Sequence, residues 1–116
     1  MTRIKRGLAA HKRRKHLLKE TKGFTFGRSK KYRAAKQAYL KAGTYAYRDR
    51  RARKREFRRL WIIRLNAACR EFGLPYNQFI AGLKKAKIEL NRKILADLAI
   101  LHPETFAKIV EMTKKS

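Results

Sequence analysis

The positive charge of this chain is crowded into one half, and that segregation limits what each half can fold into. Residues 1–59 carry 23 Lys and Arg against three acids, Glu20, Asp49 and Glu56, a net of +20. Residues 60–116 carry ten bases against five acids, a net of +5. The apolar residues of the basic half are mostly Ala and Tyr, whereas the Leu, Ile, Val and Phe that a core needs lie mainly between residues 60 and 110. That leaves a core-forming segment of about 55 residues, near the lower limit for independent stability. The basic half cannot pack against itself and calls for a polyanion, of which nucleic acid is the common one. It is expected to be poorly ordered alone and to fold on that partner.

Only two prolines, Pro75 and Pro103, and almost no β-branched clusters before Ile62 mark the chain as helical. The expected fold class is all-α, with a basic helical extension over residues 1–59 and a small helical domain over residues 60–116. A first helix is predicted over residues 9–21, stopping near Gly23. The stretch Gly23-Phe24-Thr25-Phe26-Gly27 reads as a turn in which the glycines supply the permissive backbone. From residue 29 to residue 72 only Gly43 opposes a helix, at about 1 kcal/mol relative to Ala. One long helix is therefore predicted there, with Gly73 as its C-terminal cap. Three shorter helices follow. One opens at Pro75-Tyr76-Asn77, ends near Lys87 and turns Phe79, Ile80 and Leu83 inward. Asn91 is the N-cap of the next, over residues 92–101, with Ile94, Leu95 and Leu98 apolar. Pro103 suits the first turn of the last, which carries Phe106, Ile109 and Val110.

On a helical wheel with Arg50 at zero, Arg48, Arg51, Lys54, Arg55, Arg58 and Arg59 fall between roughly 40° and 180°. Seven cations thus cover half a cylinder about 15 Å long, enough to touch phosphates of more than one strand. Arg predominates over Lys, which suits bidentate phosphate contacts. Arg53 lies apart from this face. Asp49 can reach Arg53 at i+4 and Glu56 can reach Arg59 at i+3, so the acids are expected to orient single guanidinium groups. Beyond Leu60 the same side turns apolar, through Trp61, Leu65, Ala68 and Phe72, with Ile62 and Cys69 beside them. Upstream, Tyr32, Tyr39, Tyr45 and Tyr47 alternate with bases and alanines. They can stack on unpaired bases, or they can cover the C-terminal domain or a neighbouring protein.

Chemistry of other kinds is missing. His11 and His16 lie among Lys12-Arg13-Arg14-Lys15, where a divalent metal is repelled, and Cys69 is the single cysteine, a small buried hydrophobe. His102 precedes Pro103 and reads as part of a helix start. There is no phosphate-binding glycine loop, no nucleophile elbow and no carboxylate pair. Neither a catalytic residue, nor a metal site, nor a cofactor is expected. No run of about 18 apolar residues suggests a membrane span, and the basic start lacks the apolar stretch of a secretion signal.

The central residues Tyr45-Ala46-Tyr47-Arg48-Asp49-Arg50-Arg51 and Lys54-Arg55-Glu56-Phe57-Arg58-Arg59-Leu60-Trp61-Ile62 resemble the signature of a bacterial ribosomal protein family, the L-twenty family of the large subunit. The resemblance extends through Arg64-Leu65-Asn66-Ala67-Ala68, Gly82-Leu83-Lys84-Lys85-Ala86 and Asn91-Arg92-Lys93-Ile94-Leu95-Ala96-Asp97, and upstream through Arg6-Gly7, Lys12-Arg13-Arg14-Lys15 and Lys22-Gly23-Phe24. It implies a basic extension threaded into large-subunit ribosomal RNA and a small helical domain that also contacts that RNA, early in subunit assembly. The RNA-binding residues expected in the extension are Arg3, Lys5, Arg6, Lys12, Arg13, Arg14, Lys15, Arg28, Lys30, Lys31, Arg33 and Lys36. They continue with Tyr45, Tyr47, Arg48, Arg50, Arg51, Arg53, Lys54, Arg55, Arg58 and Arg59. Lys84, Lys85, Arg92 and Lys93 are expected on the domain, with Lys87 beside them. The implied partners are ribosomal RNA, neighbouring large-subunit proteins and, in some members, their own messenger RNA, with no membrane or small-molecule substrate. The implied place is the ribosome of the cytoplasm, or of a plastid or mitochondrion. Charge alone also fits a DNA-compacting protein or a membrane-active cationic peptide. The central motif speaks against both, and residues 1–59 lack the broad apolar face a membrane helix needs.

Overall fold

Five α-helices and one 3₁₀ turn make up the computed structural model, which describes residues 2, 3 and 5–115 and shows no strand among them. In order they are α1 (Arg6–Glu20), the 3₁₀ turn (Phe26–Ser29), α2 (Tyr32–Glu71), α3 (Tyr76–Lys85), α4 (Arg92–Leu101) and α5 (Pro103–Lys115). The all-α expectation holds, and the long helix and the three short ones lie within a few residues of where the caps placed them. The chain divides into two units, Met1–Arg51 and Ala52–Ser116, and the division falls inside α2.

In the second unit, helix ends are set by local chemistry. Gly73 takes φ +70°. Its N–H donates to the Arg70 carbonyl at 3.0 Å, and that of Leu74 donates to Cys69 at 3.0 Å. These are the two bonds of a Schellman cap, which requires a left-handed residue and favours glycine. Lys114, in the last turn of α5, donates from Nζ to the Phe72 carbonyl at 2.7 Å and adds a cation at the negative end of α2. The α3 C-terminus has the same cap built on a lysine. Lys87 sits at φ 54°, its N–H on Lys84 at 3.2 Å and that of Ile88 on Leu83 at 3.0 Å. Asn91 Oδ1 accepts from the Ile94 N–H at 2.8 Å, as an N-cap should. His102 starts α5 through its carbonyl, which accepts from Thr105 and Phe106 at 3.1 Å each.

Leu65, Cys69, Phe79, Leu83, Leu95, Ala96, Phe106 and Val110 form the buried cluster of this unit. Each large side chain fully withdrawn from water there contributes about 1.5–3 kcal/mol. Phe106 stands among other rings, 5.6 Å from Phe79 and 6.2 Å from Phe72 between centroids. The helices α3 and α4 both pack on α5. Gly82 makes the α3–α5 approach possible, because a Cβ at that position would lie 2.8 Å from both Cβ and the carbonyl oxygen of Thr113. The inward face of α4 was left open by the sequence. Ile94 is 45% exposed, while Ala96 is fully buried and Ala99 packs on the cluster. Seven of the ten residues of Arg92–Leu101 are apolar, so the apolar pattern alone does not say which of them turn inward.

The first unit has almost no interior. Within it Ala35 and Thr21 are fully buried, and the Thr21 hydroxyl returns a hydrogen bond to the Leu17 carbonyl at 3.2 Å. The Gly23–Gly27 stretch departs from the simple turn expected. Left-handed backbone occurs at Gly23 (φ +88°) and at Phe26 (φ 58°), not at Gly27, which enters the 3₁₀ turn. The small-residue face of α2 is used inside this unit: Ala35 is buried, Ala34 and Ala38 are half-buried, and Phe24 and Arg28 line the same cleft as Ala34, Ala38 and Ala42.

Candidate nucleic-acid interface

A basic surface can hold phosphates only if its cations are exposed and not already neutralised. In the first unit Arg3, Lys5, Arg6, Lys12, Arg13, Arg14, Lys15, Arg28, Lys30, Lys31, Arg33 and Lys36 are all exposed. The α1 helix buries none of its residues, so its basic side chains are spent on nothing inside the unit. Arg13 and Arg14 of α1 meet Tyr32 and Lys36 of α2 in an open cleft of about 640 Å³. A second cleft of about 510 Å³ runs from Phe24 and Arg28 to Lys41 and Tyr45.

Tyr45 and Tyr47 are both exposed. Both already carry cations. Lys41 Nζ and the Arg48 guanidinium lie 5.3 and 4.8 Å from the Tyr45 ring centre, and Arg51 lies 5.0 Å from that of Tyr47. Such contacts at exposed rings are worth about 0.5–1 kcal/mol and favour side chains lying along the helix. Tyr45 and Tyr47 thus lie in contact with neighbouring cations of the same helix.

The acids behave differently from expectation. Asp49 pairs with its chain neighbour Arg48, Nε to Oδ1 at 2.9 Å, rather than with Arg53. No Glu56–Arg59 pair forms among the described residues, and Glu20 takes no ion pair there either. Exposed pairs are worth too little to hold long side chains in one geometry, so rotamer freedom decides them. The Asp49 hydrogen bond first, and its charge second, hold Arg48 above its ordinary pKa. Most of the basic face is left uncompensated.

In the second unit Arg53, Lys54, Arg55, Arg58 and Arg59 continue along α2, all exposed, with Arg53 placed 5.6 Å from the centre of the Phe57 ring. Lys54 and Arg58 come together with Arg92 and Lys93 of α4 around a cleft of about 620 Å³. Its other lining residues are Phe57, Trp61 and Asn91. The Arg92 guanidinium is anchored, its Nε donating to Tyr76 Oη at 2.8 Å. Lys84 and Lys85, at the end of α3, are exposed but do not join this cleft. Sequence reasoning placed Trp61 on the apolar face, where it does pack on the buried cluster, but did not bring Phe57 and Trp61 together with these cations. The signal was available: an aromatic pair spaced i, i+4 inside a run of bases.

Cys69 is fully buried and burial pushes its thiol up to about 11, so it stays protonated and unreactive at neutral pH. No cluster of metal-binding side chains occurs among the described residues, and no helix among them is long and apolar enough to cross a membrane.

The family model described as ribosomal protein L20 matches residues 3–109. The large ribosomal subunit protein bL20 of Thermomicrobium roseum is 56% identical over 116 residues, covering 100% of this chain and 99% of its own.

Proposed function

The chain belongs to the ribosomal protein L20 family, a structural constituent of the large ribosomal subunit and not an enzyme, and on that premise we propose that it binds large-subunit ribosomal RNA directly and helps organise it early in assembly. The observation that carries this reading is the exposed run of bases from Arg48 to Arg59 on α2, with one ion pair, Arg48–Asp49, along it. Where RNA segments converge, their phosphates repel; inserted guanidinium and ammonium groups remove that repulsion before the final RNA fold is complete. In this reading residues 1–59 thread between RNA segments and residues 60–116 bind as a folded domain. Lys84 and Lys85 give that domain a second basic surface.

The mechanism is electrostatic and carries a salt signature. Each duplex phosphate contacted adds roughly −0.9 to the slope of log affinity against log salt. Charge supplies affinity without selection, so specificity comes from the shape of the folded RNA and from its unpaired bases. The test is binding of the full chain to large-subunit ribosomal RNA at about 200 mM salt against excess duplex DNA and transfer RNA. Binding that survives both competitors supports the proposal. Binding lost equally to either competitor reduces the protein to a polycation without RNA selectivity and defeats it.

A further inference from the structure

Among the clefts of the molecule, the one lined by Lys54, Phe57, Arg58 and Trp61 of α2 and by Asn91, Arg92 and Lys93 of α4 combines an aromatic wall with a cationic rim. We infer that it receives one unpaired nucleotide of RNA, the base against Phe57 and Trp61 and the phosphate among Lys54, Arg58 and Lys93. The inference rests on the RNA-binding reading above and names the part of the RNA that this surface takes.

Phosphate binding alone does not account for the aromatic wall. The Phe57 and Trp61 rings have centroids 6.2 Å apart and planes inclined by 35°. Phe57 is 44% exposed, so its ring is open to a ligand. Trp61 packs on the buried cluster, which fixes its ring in place. A duplex hides its bases from such a wall, whereas an unstacked base offers a flat apolar face to it. A cleft of about 620 Å³ lies within the range that single small ligands occupy.

Polar groups around the wall suit a nucleotide as well. No carboxylate lines the cleft, and four cations do. Asn91 spends its side-chain oxygen on the Ile94 N–H, which leaves its amide nitrogen as a donor for a base edge. The first N–H groups of α4 have no partner within the helix and sit at its positive end, a good place for a phosphate. Arg92, tied by Nε to Tyr76, keeps its terminal nitrogens for the ligand.

Trp61 is the one tryptophan of the chain and lines this cleft, so its fluorescence gives a signal from it. The full chain is titrated with a short single-stranded RNA and with an abasic strand of equal length and charge. The RNA is expected to quench Trp61 and to bind about tenfold more tightly than the abasic strand, the scale of one base stacked on a ring. Phe57→Ala and Phe57→Leu, each checked for a retained helical spectrum, should both lose most of that margin, because leucine restores apolar volume but no ring. Equal binding of the two strands without quenching overturns the inference, and so does a full margin in Phe57→Leu. Quenching by an acidic peptide and not by RNA assigns the cleft to a neighbouring protein and also overturns it. If ribosomal RNA still outcompetes duplex DNA and transfer RNA in those cases, the RNA-binding reading stands without the pocket. If that preference is absent as well, both fall.

Discussion

One helix, α2, runs through both units, yet its two parts are helical for different reasons. In Met1–Arg51 its sequence is rich in Ala, Arg and Lys, strong helix formers, and tertiary burial there amounts to little beyond Ala35 and Thr21. Charge repulsion along that part works against the helix. In Ala52–Ser116 the same helix places Leu65 and Cys69 in a shared apolar cluster, and packing supports it. The first part can therefore be altered at many positions with small cost to its fold and large cost to its electrostatics. The second part reverses that balance.

The largest expected contrast comes from truncating a core ring. Phe79→Ala should remove about 3–5 kcal/mol, close to all the stability so small a domain has. Thermal unfolding should show the second unit molten at temperatures where the native chain is folded. Tyr39→Ala, in the first unit, should change stability by no more than about 0.5 kcal/mol. Comparable shifts from the two would erase the distinction between them.

A pH series probes the core from within. The Cys69 thiol titrates near its ordinary 9.0 when unfolded and at about 11 when buried. Above the first value the unfolded state binds fewer protons than the folded one, so stability falls as pH rises. The contribution is complete below that value and is lost up to about 11, by roughly 2–3 kcal/mol. Cys69→Ala should lack this component, and the gap in stability between variant and parent should narrow across the window. A gap that stays constant means that the thiol is not desolvated.

Smaller steps sharpen the picture of how the second unit is joined. Gly82→Ala forces a Cβ against Thr113 and should cost about 1–3 kcal/mol, read as a lower denaturant midpoint at unchanged slope. A gain is expected from Lys87→Gly, which relieves a left-handed lysine in the α3 cap. About 0.5–1 kcal/mol should appear, less the entropy glycine adds to the unfolded chain. Loss of stability instead would mean that Lys87 makes a compensating contact.

Much of the fold was legible because it is written locally. Gly73, Asn91 and Pro103 act on the residues beside them, and each bounds a helix in the structure as the sequence indicated. The inward face of α4 was not legible because most of that helix is apolar, and only its neighbours decide that Ala96 turns inward and Ile94 outward. The ion pairs of the basic run were misassigned for a related reason: exposed side chains choose among several partners that differ little in energy. The candidate site divides the same way. Exposed bases could be named from charge and spacing, but a cleft that joins residues 54–61 to residues 91–93 depends on how the chain returns to α2.

By itself, the sequence determined that the chain is helical, where its caps lie, and that one half is a polycation while the other supplies a core. Those properties follow from interactions within a few residues and from composition, which do not depend on the final packing. Only the tertiary structure decided which apolar residues are spent on the core and which remain at the surface. It closed α3 onto α5 at Gly82 and gathered Lys54, Arg58, Arg92 and Lys93 around two aromatic rings. Burial is a competition among all apolar side chains for one small volume, and its outcome is settled only when every helix has a neighbour.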